Sequence, residues 1–386
     1  MRIDPGTRIA GLATTVLFGA ASLASAAPDR FSLGLGLQEY WDSNFARNAD
    51  VDSEHYTRSY VSLAFNERLS KQDFSISASG SRYEYAERED LDADLVEGAA
   101  SWRSDWSPRV KTALVWTRDA YLVDRLEFAD KDVVSLENLN GQVNWGLGKS
   151  WGITLGARQA RQTHSNDVRE SLDFDEDEWF AATTYTTANK SSLGLRLRDG
   201  ERQYLLPIQQ APDGSLRNLD FEYRQLELEG AWALTPKTEI GFTLGRFKRE
   251  GDVNEGTGTQ ALIDLGWAIS EKLKLTLSYR QSEPAAGETS DSPSDVRTSK
   301  AMLNWEPSAK WQFSADASYS DLSYLARQAR PARDETITTL RPLVVTYRFS
   351  ETLALRIDSQ WVERESPLLY RDYDYALATI GFNLTF

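Results

Sequence analysis

The chain has 386 residues, with 43 basic against 58 acidic side chains, 12 Trp, 2 His and no Cys. Zero cysteine excludes disulfide frameworks, thiolate zinc sites and cysteine nucleophiles, and a formal charge of -15 excludes a generic nucleic-acid binder, which needs a basic footprint. No 18-residue apolar run exists for a membrane-spanning helix, and 11% aromatic content is too high for a disordered chain. What remains is a chain polar on average yet rich in Trp and Tyr.

In chain order, residues 1–26 come first and read as a secretory signal peptide. Arg2 and Arg8 flank the start, an apolar run follows from Ile9 to Leu23, and Ala24-Ser25-Ala26 has the small-x-small form read by signal peptidase. Export of a chain without cysteine points to a bacterial envelope. Residues 27–386 are then expected to form one domain.

The next segments share a two-residue period. Leu33/Leu35/Leu37, Val61/Leu63/Phe65, Phe74/Ile76/Ala78, Leu139/Val143/Trp145 and Trp151/Ile153/Leu155 each alternate with other residues. Further along, Leu226/Leu228/Gly230/Trp232 alternate with Gln225/Glu227/Glu229, and Ala261/Ile263/Leu265/Trp267 surround Asp264. Leu273/Leu275/Leu277/Tyr279, Trp311/Phe313/Ala315/Ala317 and Leu353/Leu355/Ile357 continue the pattern. Such alternation is the mark of strands with one face in an apolar phase. Pro342 is the local misfit, because it removes a ladder donor, and a bulge is the expected remedy.

Short polar turns fall near 70–72, 105–109, 148–150, 188–190, 235–237, 270–272, 306–310 and 350–351. Between them lie longer charged connections, near 42–55, 85–92, 120–131, 162–175, 199–220, 249–257, 281–295, 321–335 and 364–372. Strict alternation of short and long joins about 18 strands, an even number, with both ends of the chain on the short-turn side. The fold class is therefore all-β: a transmembrane antiparallel up-and-down β-barrel with short periplasmic turns and long extracellular loops, in a Gram-negative outer membrane. Closure is imposed by the bilayer, since an open sheet edge in hydrocarbon leaves backbone groups unpaired.

Trp102, Trp106, Trp145, Trp151, Trp232, Trp267, Trp305 and Trp311 all sit beside the short turns, where an interfacial aromatic belt would place them. The last strand alternates through Ile380, Phe382 and Leu384 to a terminal Phe386, the form read by the barrel-insertion machinery. Tyr40, Trp41, Tyr83, Tyr85, Tyr223, Tyr324, Tyr373 and Tyr375, near the long-loop ends, are read as the outer belt wherever they face outward.

A barrel this wide leaves an aqueous channel. The candidate pore-lining residues are the alternate polar positions Arg68, Lys111, Arg158, Arg196, Glu227, Glu229, Asp264, Lys274, Asp316 and Arg356; their mixed signs point to paired charges. The best candidate for a loop folding into the lumen is 199–220, the longest. Acidic runs at 87–92 and 173–178 lack the spacing of a calcium-binding EF-hand, so they are read as solvated loops facing lipopolysaccharide through divalent ions. No catalytic, metal or cofactor site is expected: His55 and His164 fall in long loops and no Gly-x-Ser-x-Gly surrounds a serine.

Several short strings carry a family resemblance. They are Tyr40-Trp41-Asp42-Ser43-Asn44-Phe45-Ala46-Arg47, Arg68-Leu69-Ser70-Lys71-Gln72, Tyr83-x-Tyr85 before Leu91-Asp92-x-Asp94, Arg198-Asp199-Gly200 with Tyr204, and Tyr373-Asp374-Tyr375. In these the chain resembles the EpsL-like outer-membrane barrels of exopolysaccharide biosynthesis, in the β-barrel porin type 2 group, although Ser43 stands where that family has Asp. The resemblance implies a passive conduit for a polysaccharide cargo, working with a periplasmic polysaccharide export protein and an inner-membrane copolymerase. Two other readings stay open on the residues alone: a general or solute-specific uptake porin, and a structural or adhesive barrel with an occluded lumen.

Overall fold

The computed structural model of the chain describes residues 30–48, 51–210, 215–289, 291–325 and 331–386. The segment assigned to a signal peptide, 1–26, lies outside the described residues. The first nine strands are β1 Phe31–Asp42, β2 Glu54–Leu69, β3 Gln72–Tyr85, β4 Ala93–Asp105, β5 Val110–Leu122, β6 Val133–Leu147, β7 Trp151–His164, β8 Phe174–Thr186 and β9 Ser192–Tyr204. Two short strands follow, β10 Ile208–Gln210 and β11 Leu216–Asn218. The rest are β12 Phe221–Thr235, β13 Thr238–Gly251, β14 Gly256–Ala268, β15 Leu273–Ser282, β16 Asp295–Trp305, β17 Trp311–Tyr324, β18 Arg333–Arg348, β19 Leu353–Glu365 and β20 Tyr373–Thr385.

All but β10 and β11 belong to one sheet of 18 strands, each antiparallel to the next. The sheet closes because β1 pairs with β20 from Gly34↔Thr385 to Asp42↔Leu377. Closure leaves no edge, so every strand spends its backbone donors and acceptors on two neighbours.

Alternation assigns each strand two faces. In the β1–β2 register, Leu33 faces Leu63 and Leu35 faces Val61 on the outside, while Tyr40 faces Tyr56 on the inside. Leu35, Leu63, Leu155, Leu195, Leu226 and many like them stay exposed on the outer wall. An outer wall of leucine around a polar interior is the inverse of a soluble protein and is stable only against hydrocarbon. The eight tryptophans beside the short turns ring one end of that wall, and Trp106, Trp145, Trp151, Trp232, Trp267, Trp305 and Trp311 are exposed there.

The eight predicted turns fall where expected, and Ser70, Gly148 and Lys190 take the positive φ that tight reversals need. The long connections are shorter than the sequence suggests, because the strands continue beyond the apolar band. The connection expected at 249–257 spans only 252–255, and most of the acidic run at 173–178 lies in β8. Pro342 coincides with an irregularity: pairing of β18 with β19 skips between Leu340 and Leu343, and pairing with β17 slips between Ser314 and Asp316. The missing N–H is accommodated where the ladder is already broken.

The barrel wall also depends on inward glycines that lie beneath large cross-strand side chains. A Cβ on Gly36 would overlap the Tyr60 ring, whose hydroxyl donates to Asn383 Oδ1 across the β1–β20 seam. Gly36→Val is therefore expected to lower refolding stability by about 1–3 kcal/mol through overpacking. The check is the urea midpoint for refolding into detergent micelles.

Candidate functional site

The inward register brings most of the sequence-selected polar residues into connected ion-pair networks. On β7 to β12, Arg158 reaches Glu176 at 2.9 Å, and Arg196 lies 2.8 Å from Glu229 and 3.7 Å from Glu227. Between them Arg198 spans Glu178 at 2.6 Å and Glu227 at 2.9 Å. The Tyr223 hydroxyl donates to Glu178 at 2.9 Å, and the Gln260 amide to Glu227 at 2.8 Å. A second network lies on β16 to β19. Lys300 sits 3.1 Å from Asp316; Arg341 lies between Asp316 and Asp358; Arg356 is 3.1 Å from Asp358.

Four selected residues stand apart from these networks. Arg68 pairs with Asp73 at 3.5 Å and Lys111 with Asp105 at 3.4 Å, both exposed at the short-turn rim. Asp264 and Lys274 lie on the inward register of β14 and β15 and form no ion pair with a described residue.

Several residues of these networks were not selected from sequence, among them Arg198, Arg202, Glu176, Glu178 and Arg341. A usable signal existed in the 173–178 run. Its Asp175 and Asp177 point outward, to Arg161 and Gln159, whereas Glu176 and Glu178 point inward, to arginines. Asp on one face and Glu on the other is strand alternation written in carboxylates.

Toward the long-loop mouth, the fully buried Glu335 accepts hydrogen bonds from three arginines. Arg333 Nε lies at 2.7 Å, Arg371 Nε at 2.8 Å, and Arg364 closes the set. The Tyr324 hydroxyl accepts from Arg364 and Arg371, and Asp291 joins Arg333 at 2.5 Å. With three cations around it, the Glu335 carboxylate is a hub that no water needs to solvate.

Asp291 belongs to the connection 283–294, which folds onto the inner wall. Ala285 is wholly buried there, in a cluster with Phe174, Tyr204, Leu219 and Phe221. The Ala286 N–H donates to Asn254 Oδ1 at 2.7 Å, and Arg249 donates to the Glu283 carbonyl at 2.6 Å. Glu288 pairs with Arg202 at 2.8 Å. The segment is thus tied to β9 and β13 on one side and to β18 on the other. The sequence points to 199–220 for an inward-folding loop, and from that stretch Leu219 joins the same inner-wall cluster. Residues 199–204 continue β9, and beyond them β10 and β11 pair as a small hairpin with Leu205, Leu206, Ile208 and Leu216 exposed.

The mouth aromatics also differ from expectation. Of the eight read as belt candidates, only Trp41 is exposed on the outer face, where it stacks on His55 at 5.3 Å. Tyr40, Tyr83 and Tyr85 turn inward with Tyr56 and Phe45, and Tyr40 stacks on Tyr56 at 4.6 Å. In the connection at 43–53, Arg47 lies 3.5 Å over the Tyr375 ring. Burial alone would lower its pKa; the Asp42 carboxylate bonded to it and the neighbouring Tyr375 raise it above the ordinary value instead. In the connection at 123–132, burial draws Arg125 below its ordinary value as it packs 5.6 Å over Phe45. The histidines end strands rather than sit mid-loop. His164 Nδ1 lies 2.7 Å from Asp173, and His55 Nε2 lies 2.9 Å from Glu39, so each is held by one carboxylate.

A closed 18-stranded barrel with an apolar outer wall, a tryptophan girdle and a charged interior defines an outer-membrane β-barrel of the porin fold. Solved structures agree. The outer membrane protein opdK of Pseudomonas aeruginosa matches with a TM-score of 0.50 at 10% identity, covering 92% of this chain and 99% of that one. A BenF-like porin from Pseudomonas fluorescens Pf-5 matches at 0.50 and 10%, covering 93% and 99%. OccK9 (OpdG) of Pseudomonas aeruginosa matches at 0.50 and 11%, covering 92% and 98%. No protein-family model matches the chain, and no curated protein does.

These findings overturn the resemblance to EpsL-like exopolysaccharide barrels. No family model supports it, and the solved barrels of like architecture include a BenF-like porin. The polysaccharide cargo, the periplasmic export protein and the inner-membrane copolymerase rested on that resemblance and are withdrawn with it. A connection locked across the inner wall by Arg202, Arg249 and Arg333 also suits a polymer conduit poorly.

Replacing Glu335 with Gln is expected to destabilise the barrel by about 3–5 kcal/mol, because three buried arginines lose their shared carboxylate. The exposed Glu365→Gln is the control and should stay within about 0.5 kcal/mol of the parent. Guanidinium midpoints for both variants decide the matter.

Proposed function

We propose that the chain is an uptake porin, a passive and solute-selective pore through which small hydrophilic molecules cross the outer membrane toward the periplasm. The observation that supports this reading is the inward face of the closed barrel, which carries paired charges and to which the connection 283–294 is tied through Arg202 and Arg333. Hydroxyls, amides and carboxylates on the wall exchange hydrogen bonds with water and solute at small net free energy, so a polar solute passes without a deep trap. No energy source acts in the outer membrane, so flux follows the concentration gradient and the solute leaves unchanged.

The wall from β15 to β19 carries Lys274, Arg280, Lys300, Arg341 and Arg356 against Asp316 and Asp358. That excess of cations favours solutes bearing a negative group, and paired carboxylates keep the preference modest.

Two measurements test the proposal. In liposome swelling, rates should be high for a monosaccharide and fall steeply by a tetrasaccharide; equal rates for both, or no swelling with either, contradict it. In a planar bilayer under a KCl gradient, the reversal potential should lie on the chloride side and move toward zero in Lys274→Gln/Arg356→Gln.

A further inference from the structure

Outward-facing arginines of this barrel pair with carboxylates on the same or an adjacent strand. Arg82 lies 3.1 Å from Glu84, Arg118 2.7 Å from Glu137, Arg161 2.6 Å from Asp175, Arg224 2.9 Å from Asp199 and Arg297 2.8 Å from Asp295. Arg246 is different. On β13 it stands between Leu226 of β12 and Thr259 of β14, exposed, and it forms no ion pair or hydrogen bond with a described residue.

Its height on the wall makes this notable. Arg246 lies eight residues beyond Thr238, which is paired with the girdle residue Trp267. At about 3.3 Å per residue and a tilt of about 40°, that is about 20 Å above the girdle, against an apolar band about 25 Å tall. The guanidinium therefore leaves the wall just inside the outer edge of the hydrocarbon, within snorkelling reach of the headgroup layer.

Two further observations point to what meets it there. The outer wall holds a groove of about 400 Å³ that reaches down from Arg246, itself part of the lining, between Leu195, Leu226, Leu228, Leu244 and Ala261. Above it, Arg224 and Lys248 face each other directly across β12 and β13, a like-charge pair that destabilises a sheet when nothing anionic lies between. Each has one carboxylate of its own, Asp199 and Glu250. An apolar trough capped by an unpaired guanidinium has the polarity of a phosphorylated lipid: chain below, phosphate above.

We infer that this face is a binding site for the phosphorylated glycolipid of the outer leaflet, with one phosphate on Arg246 and one acyl chain in the groove under it. The long loops place this edge of the band in the outer leaflet, which is why the occupant is the glycolipid rather than a periplasmic-leaflet phospholipid.

Native mass spectrometry of the purified barrel, delipidated and then titrated with diphosphorylated lipid A, tests the site. The parent should retain one lipid A, and Arg246→Gln should weaken retention about tenfold, the size of one charge-assisted contact. Arg297→Gln, which removes a paired outward arginine, should retain lipid A like the parent. Ala261→Phe fills the groove while keeping the arginine at 246 and should also weaken retention. Heat-modifiable gel mobility reports folding of each variant, and either Arg246→Gln or Ala261→Phe suffices if the other does not fold. Unchanged retention in a folded variant of either kind overturns the inference. So does equal retention of dephosphorylated lipid A, or displacement of lipid A by an equal concentration of phosphatidylglycerol.

Discussion

Every part of this structure depends on one constraint: a backbone placed in hydrocarbon must satisfy its own hydrogen bonds. Helices do so within one segment, and among the described residues no helix is long and apolar enough to span. Strands do so only by closing on themselves, and here the closing seam is the ladder between β1 and β20. Once the sheet is closed, the pleat separates odd from even positions, and each strand acquires a lipid face and a lumen face. The tryptophan girdle, the leucine wall and the interior charges all follow from that separation.

The interior then meets a second constraint. Charges on an inward face are partly removed from water, so an isolated one is unfavourable and a paired one is tolerated. Arg198 between Glu178 and Glu227, and Arg341 between Asp316 and Asp358, show the same solution on opposite sides of the interior. At the mouth that chemistry does structural work on a loop. Arg202 and Arg333 hold the connection 283–294 by Glu288 and Asp291, while Ala285 supplies the apolar contact. The proposed pore would draw its selectivity from these pairs, which leave a small excess of positive charge along one wall.

Much of the barrel was legible in the sequence because its determinants are local. Turns such as Ser70-Lys71 and Gly148-Lys149-Ser150 and strands such as Trp311–Tyr324 are defined by neighbouring residues. What was not legible depended on distant partners. The run from Asp173 to Glu178 resembles a solvated loop until Arg158, Arg161 and Arg198 are placed beside it from other strands. Ala285, Ala286 and Gly287 carry no pattern at all, yet they pack against Tyr204 and Leu219, which lie some 70 or 80 positions away in the chain. The inward turn of Tyr40, Tyr83 and Tyr85 was hidden for the same reason. The misleading family resemblance was carried by Tyr, Asp and Arg strings at strand ends. Any wide barrel gathers aromatic and charged residues there, so such strings report the architecture and say little about the cargo.

An inward face that bounds a continuous aqueous passage can be tested directly, because the chain has no native cysteine. Ser318 and Ala317 are adjacent on β17 and point to opposite faces. In single-channel recordings, a water-soluble, bulky thiol reagent should lower the current in steps through Ser318→Cys and leave Ala317→Cys unaffected. A silent Ser318→Cys, or equal block at both positions, would contradict the account.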